Sequence, residues 1–417
     1  MKIPDLFPRI LNEKYFCGLD IGGESIKAAI LEIQENAPPN LVGVYQTPTK
    51  GFQNSSVSDL SELAESIHLT LSELMKKTGV KLKDVFLGIN GELGEQRLSQ
   101  AVIPLTERGS KIIGQRDIQK IQRHARLLGI KMDEIILHDF PQFYRVDDVN
   151  TALNPVGLHG RKLEIQSLLI VIRDTLLKNL IKAVNQAGFD VREPFYTSYA
   201  SAHVALTREQ KKQGCLLLDM GDRSTVFLFF KDDSLKYMSK IPIAGKHVTE
   251  KIAGQLNLPI GLAEDIKKSY ALATTDPEVM ALEEEILLKR EEGYMPVKKG
   301  IINEGIQPII AQLVAEIQKE LKISGVIQQL QGGIVMVGGG AMLPGLPECI
   351  EEATHLPVRI GKIQMEMKRL HHSAKYASAV GLAYIGLEKH GRTKPAVEKP
   401  WPQRVSHKMR ELYQEYF

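Results

Sequence analysis

Apolar and polar positions along the chain follow two rhythms, one with a period of two and one near 3.6, and the switches between them outline an α/β protein. The run Tyr15-Phe16-Cys17-Gly18-Leu19-Asp20-Ile21 ends in glycines, and a second apolar run at 25–31 follows at once. Together they read as strand, tight glycine turn, strand. A segment rich in proline, asparagine and threonine reads as a loop. Leu60, Leu63, Ala64, Ile67, Leu71, Leu74 and Met75 then recur at helical spacing and predict a helix over 60–77, and Asp84–Ile89 predicts a strand. The opening arrangement returns in the middle of the chain. Leu216-Leu217-Leu218-Asp219-Met220-Gly221 is an apolar strand closing on Asp-x-Gly, and Thr225-Val226-Phe227-Leu228-Phe229-Phe230 is its second strand. Two such units predict a duplicated fold.

Between the two units the texture changes. Short strands at 101–105 and 135–139 flank a helix over about 117–128, and Asn154-Pro155-Val156-Gly157-Leu158 is a turn-rich exit, so 90–164 reads as a small α+β insertion. A buried-type strand is expected at 167–172, a helix at 176–187 closed by Gly188, and another helix through 199–205. After Gly245 the pattern turns helical. The charged stretch 276–292 reads as a solvated helix face or loop, and 301–321 as a long amphipathic helix. A strand runs into Gly338-Gly339-Gly340, a small-residue helix follows at 374–387, 391–400 reads as a linker, and 401–417 as a separate amphipathic tail.

Composition narrows the function classes. The 417 residues are 43% hydrophobic and 25% charged, with a net charge of +3, too weak an excess to argue for nucleic acid. Cys17, Cys215 and Cys349 are far apart and form no CxxC pair, which predicts a reduced, cytosolic compartment. No apolar run is long enough for a membrane span. His371-His372 has no cysteine or carboxylate cluster beside it and reads as surface.

Three glycine turns that follow apolar strands carry the candidate chemistry: Asp20-Ile21-Gly22-Gly23, Asp219-Met220-Gly221 and Gly338-Gly339-Gly340. Glycine lets the backbone approach a polyphosphate so that N–H groups point at it. Carboxylates at the strand ends hold Mg²⁺, usually through water. The three turns resemble the first phosphate, second phosphate and adenosine motifs of the actin, Hsp70 and sugar-kinase superfamily. Tyr196-Thr197-Ser198-Tyr199-Ala200-Ser201-Ala202 and Ala377-Ser378-Ala379-Val380-Gly381-Leu382-Ala383 resemble its two connecting helices, and Glu264 with Lys267 its nucleoside-contacting Glu-x-x-Lys. Within that superfamily the insertion resembles subdomain 1C of the FtsA family, on Leu87-Gly88-Ile89-Asn90-Gly91, Ile136-Leu137-His138-Asp139-Phe140-Pro141 and Asn154-Pro155-Val156-Gly157-Leu158. The pilus protein PilM shares that insertion.

The resemblance implies a duplicated actin-like (ribonuclease H-like) α/β fold with an inserted SHS2-type subdomain. It assigns 1–83, 166–195 and 374–390 to subdomain 1A and 84–165 to 1C. Segments 196–245 and 325–373 fall to 2A, 246–324 to 2B, 391–400 to a linker and 401–417 to a C-terminal amphipathic helix. It implies ATP and Mg²⁺ as cofactors, with Asp20, Gly22, Gly23, Ser25, Lys27, Asp219, Gly221, Ser224, Thr225, Glu264, Lys267, Gly338, Gly339 and Gly340 around the nucleotide and Asp20 and Asp219 at the metal. It further implies a scaffold that polymerises with itself and tethers an FtsZ ring to the cytoplasmic face of the membrane at the division septum, with later division proteins as partners. The FtsZ C-terminal tail peptide would meet subdomain 2B, where Arg290, Lys298 and Lys299 offer a basic rim to an acidic peptide. A PilM-like adaptor and an ATP-using enzyme such as a sugar kinase stand as alternatives.

Two departures from the family pattern bear on turnover. Gly23-Glu24 stands where the first loop commonly carries a hydroxyl pair, and Asp222, Arg223 and Val226 replace two glycines and the final aspartate of the second loop. Glu24 and Asp222 bring negative charge towards phosphates, so hydrolysis is expected to be slow or absent. The tail reads on its own: Trp401, Val405, Met409, Leu412, Tyr413, Tyr416 and Phe417 fall on one helical stripe, with Arg404, Lys408 and Arg410 among them. An amphipathic segment with large aromatics on a linker predicts interfacial membrane binding.

Overall fold

A computed structural model describes residues 14–34, 37–274, 276, 284–290, 293–363 and 373–391. Strands β1 (Tyr15–Ile21) and β2 (Ser25–Glu32) pair antiparallel, and their apolar residues are buried on both faces, as near-continuous apolar runs require. The expected loop that follows contains a strand, β3 (Asn40–Pro48), antiparallel to β2. Val42, Val44 and Tyr45 supply its β preference, and the flanking prolines and asparagine masked it. Helix α1 (Leu60–Thr78) begins where the Asp59 carboxylate accepts the N–H groups of Ser61 and Glu62 at 2.8 and 2.9 Å. It ends on left-handed Gly79, and its Leu63, Ile67, Leu71 and Leu74 stripe is fully buried against the sheet. Cutting one of these back to alanine costs about 2–5 kcal/mol. Strand β4 (Asp84–Ile89) then joins β1 in parallel.

The insertion follows. Strands β5 (Glu95–Pro104), β6 (Glu134–Val146), β7 (Asn150–Ala152) and β8 (Lys162–Arg173) form an antiparallel sheet in the order β7-β6-β8-β5. Helix α2 (Gln115–Leu128) closes one face through Ile118, Ile121 and Ala125. These strands are longer than the sequence pattern predicts, because β6 and β8 run on into the body of the protein, where Leu168, Ile170 and Ile172 join other cores. Helix α3 (Asp174–Gln186) returns the chain to β9 (Asp190–Tyr196), which pairs in parallel with β4, and α4 (Thr197–Ala205) leaves from its end.

The second half repeats the design. After α5 (Arg208–Gln213) come β10 (Cys215–Met220), β11 (Thr225–Lys231) and β12 (Ser234–Ile241), all antiparallel neighbours. Helices α6 (Gly245–Leu256) and α7 (Ile260–Tyr270) follow. Within the charged stretch, expected as a helix face or loop, residues 285–290 instead form β13 (Glu285–Arg290), paired with β14 (Gly293–Lys298). Burial of Ile286 opposite Val297, between exposed neighbours, is the period-two signal hidden by the charges. Then come α8 (Lys299–Ser324), β15 (Ile334–Val337), α9 (Leu346–Thr354), β16 (Val358–Ile360) and α10 (Ala377–His390).

The first sheet has the order β9-β4-β1-β2-β3 and the second β16-β15-β10-β11-β12, which is one topology used twice. Helices α1 and α3 cover the outer face of the first sheet. Helices α6, α8 and α9 cover that of the second. Between the sheets lie α4 and α10, in a core shared by Ala29 and Leu31 of β2 and Leu217 and Leu228 of the second sheet. Small residues set that crossing. A Cβ on Gly381 would stand 2.1 Å from the carbonyl oxygen of Ala200, and one on Gly18 would stand 2.1 Å from that of Ala379.

His138 of β6 fastens the insertion to this core. The Tyr196 N–H donates to its Nε2 at 3.0 Å, and its ring lies 4.7 Å from that of Tyr199 and 5.9 Å from that of Phe195. Burial pushes its pKa down to about 3, so it stays neutral and accepting. A histidine whose folded value lies below its unfolded one contributes stability that is complete above about pH 6.5 and is lost as pH falls towards 3. His138→Phe keeps the ring stack but orphans the Tyr196 N–H. Thermal melts are expected to show about 1–3 kcal/mol of destabilisation at pH 7.5, and a shallower loss of stability between pH 6.5 and 4.5 than in the native chain.

Candidate functional site

The two repeated hairpins end in the same turn. The Gly22 N–H donates to the Ser25 carbonyl at 3.2 Å, and the Gly221 N–H donates to the Ser224 carbonyl at 3.1 Å. Each turn is held from behind by the segment after its third strand. The Thr49 hydroxyl donates to the Gly22 carbonyl at 2.8 Å, and the Gly245 and Lys246 N–H groups donate to the carbonyls of Gly221 and Asp222 at 3.3 and 2.7 Å. The third turn closes against the second. Gly338 has φ +91°, and a Cβ there would lie 2.4 Å from the Met220 carbonyl oxygen and 2.8 Å from Asp219 Oδ1, so only glycine fits.

The three turns line one cleft of about 580 Å³ between the halves. Asp20, Gly22, Gly23, Ser25, Lys27, Asp219, Gly221, Ser224, Glu264, Lys267, Gly338, Gly339 and Gly340 all border it. Thr225 does not. Strand alternation turns it away, and its buried hydroxyl donates to the Ile243 carbonyl at 2.7 Å. Three residues that no glycine motif marked join the wall: Ser198 at the start of α4, Ser378 at the start of α10, and Lys375 just before it. They arrive from the connecting helices, whose N-termini open onto the cleft and favour negative charge there.

The electrostatics are closely balanced. Asp20 is buried, accepts the Ser378 hydroxyl at 2.5 Å, and lies 3.8 Å from Lys27 Nζ. Burial raises Asp219 to about 6, with the Asp20 charge adding to the effect. Burial also raises Asp222, against the pull of Lys246. Glu264 and Lys267 pair with each other at 2.6 Å, and Thr249 ties both, since its hydroxyl donates to Glu264 at 2.5 Å and accepts from Lys267 at 2.9 Å. Burial works against the Glu264 charge, but these hydrogen bonds hold its carboxyl below the usual range. Lys27, Arg223, Lys246, Lys267, Lys268 and Lys375 face Asp20, Glu24, Glu92, Asp219, Asp222 and Glu264 around the lining. Ile309, Leu313, Met342 and Leu343 make one end apolar.

The chemistry of the donors fits an elongated anion with a flat apolar group. Glycine turns present backbone, lysines ring the polar end, and Ser198 joins the wall beside Asp219. Two carboxylates, Asp20 and Asp219, suit a divalent cation that keeps most of its waters. No cluster of three or more His, Cys, Asp or Glu suited to a metal occurs among the described residues.

Lys298 and Lys299 do not border the cleft. Lys299 pairs with Glu284 at 2.7 Å and stands 5.7 Å from the Tyr270 ring centre, and Lys298 is exposed at the end of β14. Arg290 ends β13. Trp401, Val405, Met409, Leu412, Tyr413 and Phe417, the linker 392–400 and His371-His372 lie outside the described residues. No helix among the described residues is long and apolar enough to cross a membrane.

Comparison with known proteins gives concordant results. A family model described as cell division protein FtsA matches residues 216–381, and one described as the SHS2 domain inserted in FtsA matches 95–171. Cell division protein FtsA of Borreliella burgdorferi is 29% identical over 394 residues, covering 92% of this chain and 93% of the relative. The Pseudomonas aeruginosa protein of that name is 28% identical, covering 91% of each, and that of Escherichia coli is 26% identical, covering 93% and 94%. Among solved structures, a PilM–PilN type IV pilus biogenesis complex aligns with a TM-score of 0.66 at 19% identity, covering 90% of this chain and 99% of that one. MreB5 of Spiroplasma citri bound to ADP aligns at 0.52 and 12% identity, covering 91% and 97%. These two likenesses establish the actin-like fold.

Asp219 makes the cleft a source of pH dependence. Its folded value lies above its unfolded one, so its contribution to stability is present below about pH 4 and is lost as pH rises through 6. Asp219→Asn is expected to stabilise the nucleotide-free chain at pH 7.5 by on the order of 2 kcal/mol, the gain vanishing near pH 4. Denaturant titrations at the two pH values measure it.

Proposed function

This chain belongs to the FtsA family of cell division proteins, and from that premise we propose that it serves division as an ATP-binding adaptor that assembles with itself and holds an FtsZ-type ring at the membrane. One observation carries the nucleotide part: three glycine turns far apart in sequence border a single cleft with a polar, lysine-ringed end and an apolar end. In this reading the phosphates lie between the Asp20 and Asp219 turns, and the adenine lies near Gly339, Glu264 and Lys267. Asp20 and Asp219 would hold Mg²⁺ through water, and the ion would supply charge neutralisation to the phosphates. Structures of MreB5 bound to ADP and to AMPPNP share the fold, which supports a nucleotide as the class of ligand.

Turnover is slow or absent in this proposal. Asp222 and Arg223 stand where the family pattern has glycines, and Val226 borders the cleft where the pattern ends in aspartate. The pilus-adaptor and sugar-kinase alternatives are not favoured, because the curated relatives that match over nine-tenths of the chain are division proteins.

The partner and membrane parts rest on sequence. An FtsZ tail peptide would dock on subdomain 2B, with Arg290, Lys298 and Lys299 at its rim, and later division proteins would join the assembly. The 401–417 segment would lie in the bilayer interface at the cytoplasmic face of the septum. Its six apolar anchors together are worth several kcal/mol at roughly 25 cal/mol per Å², enough for reversible binding that a polymer multiplies.

Two measurements test the proposal. Isothermal titration is expected to show ATP binding that strengthens with Mg²⁺, while steady-state phosphate release stays near background. An absence of heat at millimolar ATP rejects the nucleotide part. In liposome flotation, deletion of 401–417 or the pair Met409→Glu and Leu412→Glu should leave the protein in the soluble fraction. Variants that float as well as the native chain would reject the membrane part.

A further inference from the structure

The insertion turns one helix face to solvent, and that face is basic. Helix α2 buries Ile118, Ile121 and Ala125 against its own sheet. The opposite stripe therefore runs Arg116, Lys120, Arg123 and Leu127, spaced i, i+4, i+7 and i+11, and all four are exposed. Residues 115–132 hold five cations and one carboxylate, a surplus of four where the whole chain has a surplus of three. That carboxylate, Asp117, is bonded to Lys111 at 2.8 Å and accepts the Gly114 N–H at 3.0 Å, and Lys120 meets it only at longer range. Arg126 is held by Asp139 at 2.7 Å. Arg116, Lys120 and Arg123 form no ion pair among the described residues.

A helix face built only to be solvated alternates its charges. This face does not, and it ends in apolar residues. Leu127 and Leu128 are 66% and 71% exposed, and Met132 is fully exposed. Cations beside uncovered leucine and methionine suit a surface that is anionic outside and apolar beneath. The helix also ends near the exit of the C-terminal segment. Asp139, which holds Arg126, follows His138, whose ring lies 5.9 Å from that of Phe195. The Phe195 ring in turn takes the Lys389 ammonium at 4.5 Å, one residue before α10 ends. Residues 391–400 then give a reach of at most about 35 Å to the 401–417 stripe. That stripe carries large apolar residues but little charge, because Glu411 and Glu415 offset two of Arg404, Lys408 and Arg410. Stable anchoring combines an apolar signal with a second one, commonly basic.

We propose that the exposed face of α2 is a second membrane contact, in which Arg116, Lys120 and Arg123 meet anionic phospholipid headgroups while Leu127, Leu128 and Met132 enter the interface. The inference rests on the membrane reading of the 401–417 segment and divides the work with it: the tail supplies apolar burial, and α2 supplies charge. Two contacts from separate parts of the body also fix which side of it faces the lipid, a choice that one tail on a linker leaves free. Each cation near an anionic surface is worth about fivefold in partition, so three together reach on the order of a hundredfold.

Vesicle co-sedimentation of the full-length chain tests this, on phosphatidylcholine alone and on phosphatidylcholine mixed with phosphatidylglycerol. The native chain is expected to bind the mixed vesicles at least about tenfold more tightly, with the difference lost at high salt. Arg116→Gln, Lys120→Gln and Arg123→Gln combined should abolish that preference and leave binding to phosphatidylcholine unchanged. The charge-keeping set Arg116→Lys, Lys120→Arg and Arg123→Lys should retain it. Lys182→Gln, Lys319→Gln and Lys322→Gln combined, which remove as much charge from other exposed positions, should cost less than about twofold. Should the first set fail to fold by circular dichroism, Lys120→Glu alone answers the same question in the same direction. If the native chain binds neither vesicle, the membrane reading falls and this inference with it. If it binds both alike, only the α2 assignment is overturned, and the face is left to an acidic protein. A preference for phosphatidylglycerol that survives the first set belongs to Arg392, Lys394 and Lys399 of the linker and overturns the assignment as well.

Discussion

Everything about the cleft depends on how closely α4 and α10 cross between the two sheets. Alanine, serine and glycine fill the contact, and backbone meets backbone where Gly381 faces Ala200 and Gly18 faces Ala379. The crossing leaves no room for a methyl group. It brings two sheets of like topology near enough that their glycine turns share one cavity. It also aims the first turns of both helices into that cavity, which is how Ser198 and Ser378 come to stand beside Asp219 and Asp20. Larger residues at the crossing would part the sheets and widen the polar end of the cleft without touching any residue that lines it.

The cleft stores unfavourable charge that its surroundings only partly relieve. Asp219 is raised because it is buried near Asp20, and Asp222, within the second turn, because it is largely buried with the Glu24 charge nearby. Glu264 goes the other way, since Lys267 and Thr249 hold it. The side near α7 is therefore settled before any ligand arrives, while the Asp20–Asp219 side gains from an incoming cation and the Lys375 corner gains from an incoming anion. A metal-bound polyphosphate answers both demands together.

Much of this was legible in the chain. The paired strand–turn–strand units, the insertion and the connecting helices followed from periodicity and from glycine placement, because each is a local pattern. What escaped was local pattern contradicted by composition. β3 hid behind prolines and asparagine, and the 285–298 hairpin hid behind glutamates and lysines. Thr225 was drawn to the cleft by adjacency to Ser224, although neighbouring residues of a strand face opposite ways and its hydroxyl is spent on Ile243. Ser198 and Ser378 were visible only as members of the connecting-helix segments and Lys375 not at all, and the folded crossing is what puts them near the turns. The partner of Glu24 was equally invisible, since Lys268 stands far along the chain in the other half.

The order in which the chain is made gives the topology a further meaning. β1, the strand that presents Asp20, is made before every other described element, whereas α10, which packs on β1 and carries Ser378, is the last of the described helices. β4 waits for its neighbour β9 until the whole insertion has been synthesised, and that insertion has its own core to fold around in the meantime. A chain that stops short of α10 leaves Gly18 and the inner faces of both sheets uncovered. Such a fragment has neither a floor to its cleft nor a closed centre, and its exposed apolar surface marks it for proteolysis. A chain that can engage a ligand in the cleft has therefore been read at least through Ser378.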